Sequence, residues 1–270
     1  MYICSILKIM YYNLFFPNYN FAHKFDERPT KNDEFEDHFH MICEILLFIR
    51  GDAEFIIENK KFELKPGDLL FISPGQHHNI NVNPEAPYER YVIKFPEYDI
   101  PKNILHLIKN KSGCFSTDNT SIPELFTRFD GHAEGYKGPD LCGLLKCALR
   151  EILYYSCSGS KAYEPEVYNE NMIEIINYIH ENIAKGITLD EISERFHYSK
   201  SCICKEFQQC MNVPIMQYVR TKKILLANSL IKAGEKPMGI FTQCGFSDYS
   251  TFFRAYKKIL GVAPSAKKQP

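Results

Sequence analysis

Two stretches near the C-terminus decide the reading of the chain: GITLDEISERFHYSKSCICKEFQQCMNVP (186–214) and KPMGIFTQCGFSDYSTFFRAYKKILGVAP (236–264). Each is written as a helix, a tight break and a second helix. In the first, Thr188 is placed as an N-cap and Glu191, three residues on, closes a capping box. Leu189, Ile192 and Phe196 then share one helical face. A break at His197-Tyr198 leaves Ser199 to cap the next helix. That helix turns Ile203 and Phe207 inward and leaves Ser201, Cys204, Lys205 and Gln208 facing out. In the second stretch Pro237 suits a first helical turn, and Gly245 suits the left-handed residue that ends it. Ser247 or Asp248 caps a further helix with Phe252, Phe253 and Tyr256 inward. Tyr249, Ser250, Arg254, Lys257 and Lys258 are left toward solvent.

Between these units runs IMQYVRTKKILLANSLIKAG (215–234), an amphipathic segment. A helix of ~20 residues is ~30 Å long, close to the ~34 Å of one turn of B-DNA. Two outward-facing helices held one turn apart can enter successive major grooves on one face of a duplex. The spacing thus predicts an all-α unit of two helix-turn-helix modules whose partner is double-stranded DNA.

The residues Ile240, Gly245-Phe246, Asp248, Tyr249-Ser250, Phe252-Phe253-Arg254, Tyr256-Lys257-Lys258, Gly261 and Pro264 resemble the signature of the AraC/XylS family of transcriptional regulators. The first unit fits the same pattern, so the resemblance covers about the last hundred residues. It implies base-edge contacts from Ser201, Cys204 and Lys205 in the first unit and from Tyr249, Ser250 and Arg254 in the second. The exposed Gln208 and Lys257 extend the same faces. Lys205 and Arg254 carry the long cations that reach guanine O6 and N7, whereas the Cys204 thiol is a poor hydrogen-bonding group. Three positions depart from the pattern. Phe241 stands where the family has a small residue between helices, His197 where it often has Gly, and Lys267-Lys268 where Tyr-Arg is usual. The Phe241 departure predicts disturbed packing in the second unit.

Composition places the rest. A chain of 270 residues with 45% hydrophobic and 24% charged residues is ordinary globular material, long enough for two domains. The net charge of −1 hides a split. From Asn171 onward 14 Lys and Arg face 8 Asp and Glu, while the first 170 residues carry 18 against 25. An acidic front and a basic back fit a sensor joined to a nucleic-acid reader. The ten cysteines are scattered and form no paired array, which predicts a reduced, cytoplasmic protein. No apolar run reaches the ~18 residues of a membrane span. The opening MYICSILKIMYYNLFF reads as a first strand or arm and not a signal peptide, and Met10 could equally serve as the start.

Residues 20–28 are expected to be an irregular arm. Short β-rich runs follow at Glu44–Ile49, Ala53–Glu58, Lys61–Leu64, Asp68–Ile72 and Tyr88–Phe95. They are punctuated by Gly51-Asp52, Asn59-Lys60, Pro66-Gly67 and Pro74-Gly75, the cadence of a small antiparallel barrel or jelly roll. This stretch resembles the cupin domain that AraC-type regulators often carry. His38, His40 and Glu44, with Gly51, and then Gly67, Gly75 and His78 are similar to the two cupin metal motifs, although Ser73 stands where the second has Pro. His38 and His40, two apart on a strand, would point to one side and converge with Glu44 and His78. The resemblance leaves the occupant open: a divalent ion, an organic effector at the barrel mouth, or none. His77 is taken as a rim residue.

Beyond Pro101 the period lengthens, and Asn103–Lys109, Ile122–Phe129 and Leu141–Tyr155 read as helices. The last aligns Leu141, Leu144, Leu145, Ala148, Ile152 and Tyr155 on one face, which could meet a twin in a homodimer or pack on its own barrel. Residues 156–171 read as a linker.

The expected fold is therefore α+β. A cupin-like sensor barrel with its N-terminal arm occupies 1–100, a helical subdomain 101–157, a linker 158–170 and a double helix-turn-helix domain 171–270. The expected function is sequence-specific DNA binding under the control of a small molecule, sugars being the commonest guess for this architecture. Neither catalytic residues nor a required cofactor is expected, and no membrane partner. His38, His40, Glu44 and His78 are the effector-site candidates. The competing reading makes the same four residues the ligands of a metal-dependent cupin enzyme or metal sensor.

Overall fold

The computed structural model describes residues 12–30, 35–105, 113–158, 166–167 and 169–265. The chain divides into two compact units, Met1–Glu166 and Val167–Pro270.

The N-terminal unit is built on two antiparallel sheets. The larger combines β1 (Tyr12–Phe16), β2 (Tyr19–Asp26), β8 (Tyr88–Phe95), β3 (Cys43–Arg50), β6 (Asp68–Ile72) and β9 (Cys114–Ser116), side by side in that order. The smaller orders β5 (Lys60–Glu63), β4 (Ala53–Ile57) and β7 (His78–Val82). The expected antiparallel β domain is there, and five strands fall within a residue or two of the runs read from sequence. One expectation is overturned. Residues 20–28 are no irregular arm: Asn20 to Asp26 of β2 pair with β8, from Asn20↔Lys94 to Asp26↔Tyr88. The expected first strand survives as β1, paired with β2, while residues 1–11, including Met10, lie outside the described residues. Strands β7 and β9 had no counterpart in the sequence reading.

Both faces of the larger sheet are covered, so its central strands read as nearly unbroken apolar runs. Alternation sends Cys43, Ile45 and Leu47 of β3 and Tyr91, Ile93 and Phe95 of β8 to one face. There they pack against α1 (Ile122–Gly135) and α2 (Gly138–Ser158) through Phe126, Phe129, Leu145 and Leu149. Leu46, Phe48, Tyr88 and Val92 go to the other face and join Phe55, Ile57, Phe62 and Ile80 of the smaller sheet. Both helices run longer than the spans read from sequence. The helix expected over 103–109 is helical through Leu105, and its remainder lies outside the described residues, as do most of the expected linker and Lys267-Lys268.

Polar groups clamp the sheet to α1. His23 of β2 is buried, bonded through Nε2 to Glu89 (2.9 Å) and through Nδ1 to Asp130 of α1 (3.2 Å). Tyr12 and Tyr91 donate their hydroxyls to the same Asp130, at 2.5 and 2.6 Å. Tyr91 lies opposite His23 in the ladder and stacks on its ring at 4.0 Å. Burial taken alone would lower the His23 pKa, but Asp130 and Glu89 outweigh it and raise it.

The C-terminal unit is helical: α3 (Glu170–Asn182), α4 (Leu189–Phe196), α5 (Lys200–Met211), α6 (Ile215–Lys232), the short α7 (Pro237–Ile240) and α8 (Tyr249–Leu260). The capping box at Thr188 and Glu191 is formed in both directions. Ser199 caps α5 and Asp248, rather than Ser247, caps α8. His197 takes the left-handed conformation at φ 57° where the pattern often has Gly, with α4 ending on it. The linking helix α6 spans 18 residues, about 27 Å. Its first half gives Ile215, Tyr218 and Val219 to one core with α3, α4 and α5. Its second half gives Ile224 and Ala227 to another with α7 and α8. Phe241 is accommodated: it is half-buried and meets Tyr249 edge-on at 5.9 Å. Thr188→Ala is expected to cost this unit about 1 kcal/mol through the lost cap, read as a lower urea midpoint at unchanged slope.

The two cores meet at two glycines. Gly245, at φ +73°, brings its Cα so near Gly186 that an added Cβ would lie 2.9 Å from Gly186 N and from Ile183 O. Lys223 of α6 is buried and donates its ammonium to the Gly245 carbonyl at 2.8 Å. Burial lowers the Lys223 pKa.

Candidate functional site

On α5 the 3.6-residue period separates Ile203 and Phe207, buried in the core, from Ser201, Cys204, Lys205 and Gln208, all exposed. On α8 it separates Phe252, Ala255 and Tyr256 from Ser250, Arg254 and Lys257. Tyr249 corrects the reading that leaves it to solvent. Its ring is half-buried, 5.6 Å from Phe252 and 6.2 Å from Phe253, so only part of it faces out, and Phe253 is half-buried rather than interior. Arg254 is held loosely by its own turn, donating to the Ser250 carbonyl and Thr251 hydroxyl at 3.4 Å. A guanidinium tethered that weakly can turn toward a base edge. The exposed faces of both helices thus offer hydroxyls and cations, the groups that contact phosphates and bases. Lys258 and Arg220, also exposed, add charge.

The second candidate site lies between the two sheets of the N-terminal unit, in a cavity of about 480 Å³, within the range of small-molecule sites. Phe35, Leu46, Phe55, Ile80 and Val92 form apolar walls. His38, Glu44 and His78 line it, together with three cations the sequence reading missed: Lys24, Arg90 and Lys94. The signal was present, since Tyr88, Arg90, Val92 and Lys94 alternate along β8 and so share a face. Lys94 stands directly across from Glu44 in the β3–β8 ladder, and the ammonium meets the carboxylate at 2.9 Å. Arg90 is buried, ion-paired with Asp26 and stacked over Tyr88 at 4.4 Å.

The histidines gather differently from the sequence reading. His38 and His40 are not neighbours along a strand. His38 makes an isolated bridge with His78, and His40 lies in the irregular turn before β3. His40, Glu44 and His78 bring one ligand atom each within 4.8 Å of one another. His38 is set beside that group, its ring 4.2 Å from His78 and 6.2 Å from His40. His77 is no rim residue: it is buried, and its Nδ1 meets Asp37 at 2.8 Å.

Glu44 is buried, which favours its neutral form, but the His40 contact at 2.8 Å and the Lys94 charge prevail and hold it well below the usual carboxylate range. Burial pushes His78 down to about 3, so its ring is neutral near neutral pH. The trio is the two-nitrogen, one-carboxylate set that the cupin motifs imply for a divalent ion. It fits: among the described residues His78 Nε2 is a buried ring nitrogen with no hydrogen-bond partner.

The family of AraC-like ligand-binding domains matches residues 26–166, and a helix-turn-helix domain family matches residues 192–269. The chain is similar to a probable transcriptional regulator, LumQ, of Photobacterium leiognathi, at 25% identity over 84% of this chain and 90% of that protein. The arabinose operon regulatory protein of Escherichia coli K12 is 24% identical, covering 81% and 77%. Among solved structures, ToxT of Vibrio cholerae O395 aligns at 16% identity over 92% of this chain and 96% of that one, with a TM-score of 0.37. Among the described residues no helix is long and apolar enough to cross a membrane.

Proposed function

The chain belongs to the AraC family, a DNA-binding transcriptional regulator with an AraC-like ligand-binding domain ahead of its helix-turn-helix unit, and from that premise we propose how its residues divide the work. The exposed faces of α5 and α8 read DNA: Ser201, Cys204, Lys205 and Gln208 in one groove, Ser250, Arg254, Lys257 and the outer edge of Tyr249 in the next. The cavity between the two sheets binds the small-molecule effector, against His38, His40, Glu44 and His78, and binds it without transforming it. The sensor occupies 1–100, the helices of 101–157 provide the homodimer contact, 158–170 links and 171–270 holds the operator. The chain acts in the cytoplasm.

The observation that carries this reading is the pairing of two capped helices, each with a buried aromatic face and an exposed polar and basic one, on a single linking helix. Full-length protein titrated against DNA upstream of its own and neighbouring genes is expected to bind one sequence tightly, with a steep salt dependence. Lys205→Ala and Arg254→Ala should each weaken that site by about 1–3 kcal/mol and relax preference at one position. Equal loss on every sequence would mean that the residue touches only phosphate. Binding no tighter than to random DNA would overturn the assignment of α5 and α8.

A further inference from the structure

Three histidine rings around the cavity are set in the same way. His38 Nδ1 donates to the Glu36 carbonyl (2.9 Å), His40 Nδ1 to the Ile42 carbonyl (2.7 Å) and His78 Nδ1 to the Gln76 carbonyl (3.0 Å). A carbonyl can only accept, so each Nδ1 carries a proton and each ring turns its Nε2 the other way. His40 Nε2 meets Glu44 at 2.8 Å, a contact whose proton an incoming ion would replace. Main-chain carbonyls holding Nδ1–H is the outer arrangement that orients a metal-bound imidazole and fixes its tautomer. His78 adds an independent sign, being 2% exposed with its Nε2 lacking any hydrogen-bond partner among the described residues. A buried lone pair in that state lacks what a cation would supply.

The donor set narrows the ion. Two imidazole nitrogens and one carboxylate suit zinc, iron, cobalt, nickel or copper, whereas calcium and magnesium take oxygens. Three protein donors also leave such an ion short of its usual four or more. Lys24, Arg90 and Lys94 line the cavity with Glu44, and Arg90 is paired with Asp26. Glu44 is engaged by both His40 and Lys94, so an ion that takes Glu44 draws it from Lys94 and leaves the ammonium facing the cavity.

We propose that the cavity is a composite site, in which His40, His78 and Glu44 hold a divalent transition-metal ion and an anionic oxygen ligand of the carboxylate class completes the ion's coordination while pairing with Lys94. The inference rests on the reading of the cavity as the effector site, and gives that effector a chemistry. The effector is a metal-coordinating acid whose organic body lies against Phe55 and Val92.

Full-length chain stripped with a chelator is titrated with cobalt(II), followed by oxalate as a probe. One cobalt per chain is expected, with a visible ligand-field band and two exchangeable N–H resonances shifted far downfield, from the retained Nδ1 protons of His40 and His78. His78→Gln or His40→Gln should abolish the band while the ion-free chain still melts cooperatively. Should both variants misfold, the two shifted resonances of the unaltered chain decide alone. Oxalate should perturb the band and tighten cobalt at least tenfold, an effect Lys94→Met loses while keeping the band. No stoichiometric cobalt at millimolar concentration, or no shifted N–H signals, overturns the metal site. A band indifferent to oxalate, or an oxalate effect that survives Lys94→Met, overturns the composite site. If cobalt fails while a metal-free organic compound raises the melting temperature of the stripped chain, this inference falls and the effector-site reading stands.

Discussion

Gly245→Ala is expected to destabilise the C-terminal unit by about 2–5 kcal/mol, the sum of two separable costs. An L-residue in the left-handed region costs about 1–2 kcal/mol, and Gly245 sits there at φ +73°. Its new methyl would also meet Gly186 N and Ile183 O at 2.9 Å. Both are backbone atoms that cannot rotate aside, so the two helical cores must separate, and overpacking of this kind costs about 1–3 kcal/mol. Gly261 supplies the control. It has the same φ of +73°, but among the described residues nothing lies within 4 Å of its missing Cβ, so Gly261→Ala should show only the conformational part. Urea unfolding followed by circular dichroism gives both values. Equal losses would show that the Gly186–Gly245 approach contributes nothing. DNA binding should also separate the two, because only Gly245→Ala shifts one helix-turn-helix module against the other.

Asp130→Ala should destabilise the N-terminal unit by about 2–4 kcal/mol, somewhat below the cost of breaking a fully buried pair, because the Asp130 side chain is 26% exposed. It would leave His23, Tyr12 and Tyr91 without the carboxylate on which all three converge. The pH profile gives the specific signature. The folded pKa of His23 is raised, so its contribution is complete below the ordinary histidine value of about 6.5 and lost as pH rises through the folded value. The Asp130 pKa is lowered: burial acts against this, but His23 and the two tyrosines prevail. Its contribution is present above about 3.9 and lost as pH falls from there. Between those limits the network is at full strength. Thermal unfolding of the natural chain should weaken from pH 6 to 9, and Asp130→Ala should flatten that slope. A variant with the unaltered slope would remove His23 and Asp130 as its source.

What could be read from the sequence followed the range of the contacts. The C-terminal unit announced itself because its caps close within three residues: Thr188 to Glu191, Ser199 to Cys202, Asp248 to Thr251. Strand β2 was misread because its polar residues look like those of a loop. His23 is held inside by Glu89 and Asp130, 66 and 107 positions away, and Arg90 by Asp26 and Tyr88. The cavity was half legible. The motif spacing brought out Glu44 and the histidines, but placed His38 and His40 on a strand that the chain does not form there. Alternation along β8 puts Lys94 on one face with Arg90 and Val92, but its pairing with Glu44 becomes visible only once the ladder sets the two opposite. Tyr249 was misplaced because a helical wheel records direction and not the aromatic neighbours, Phe241 among them, that fold over a ring.

The larger sheet, covered on both faces, can be regarded as a diaphragm. Glu44 and Lys94 press on it from the cavity, while their immediate neighbours Cys43, Ile45, Ile93 and Phe95 bear on the helices behind. Where an occupant shifts the β3–β8 backbone at the Glu44–Lys94 pair, the bed under Phe126 and Phe129 shifts with it. The stiffness of β3 and β8, more than the tightness of the pocket, then sets how much of a binding event reaches the far side. Substitutions that loosen those strands should dull the response while leaving affinity for the effector nearly intact.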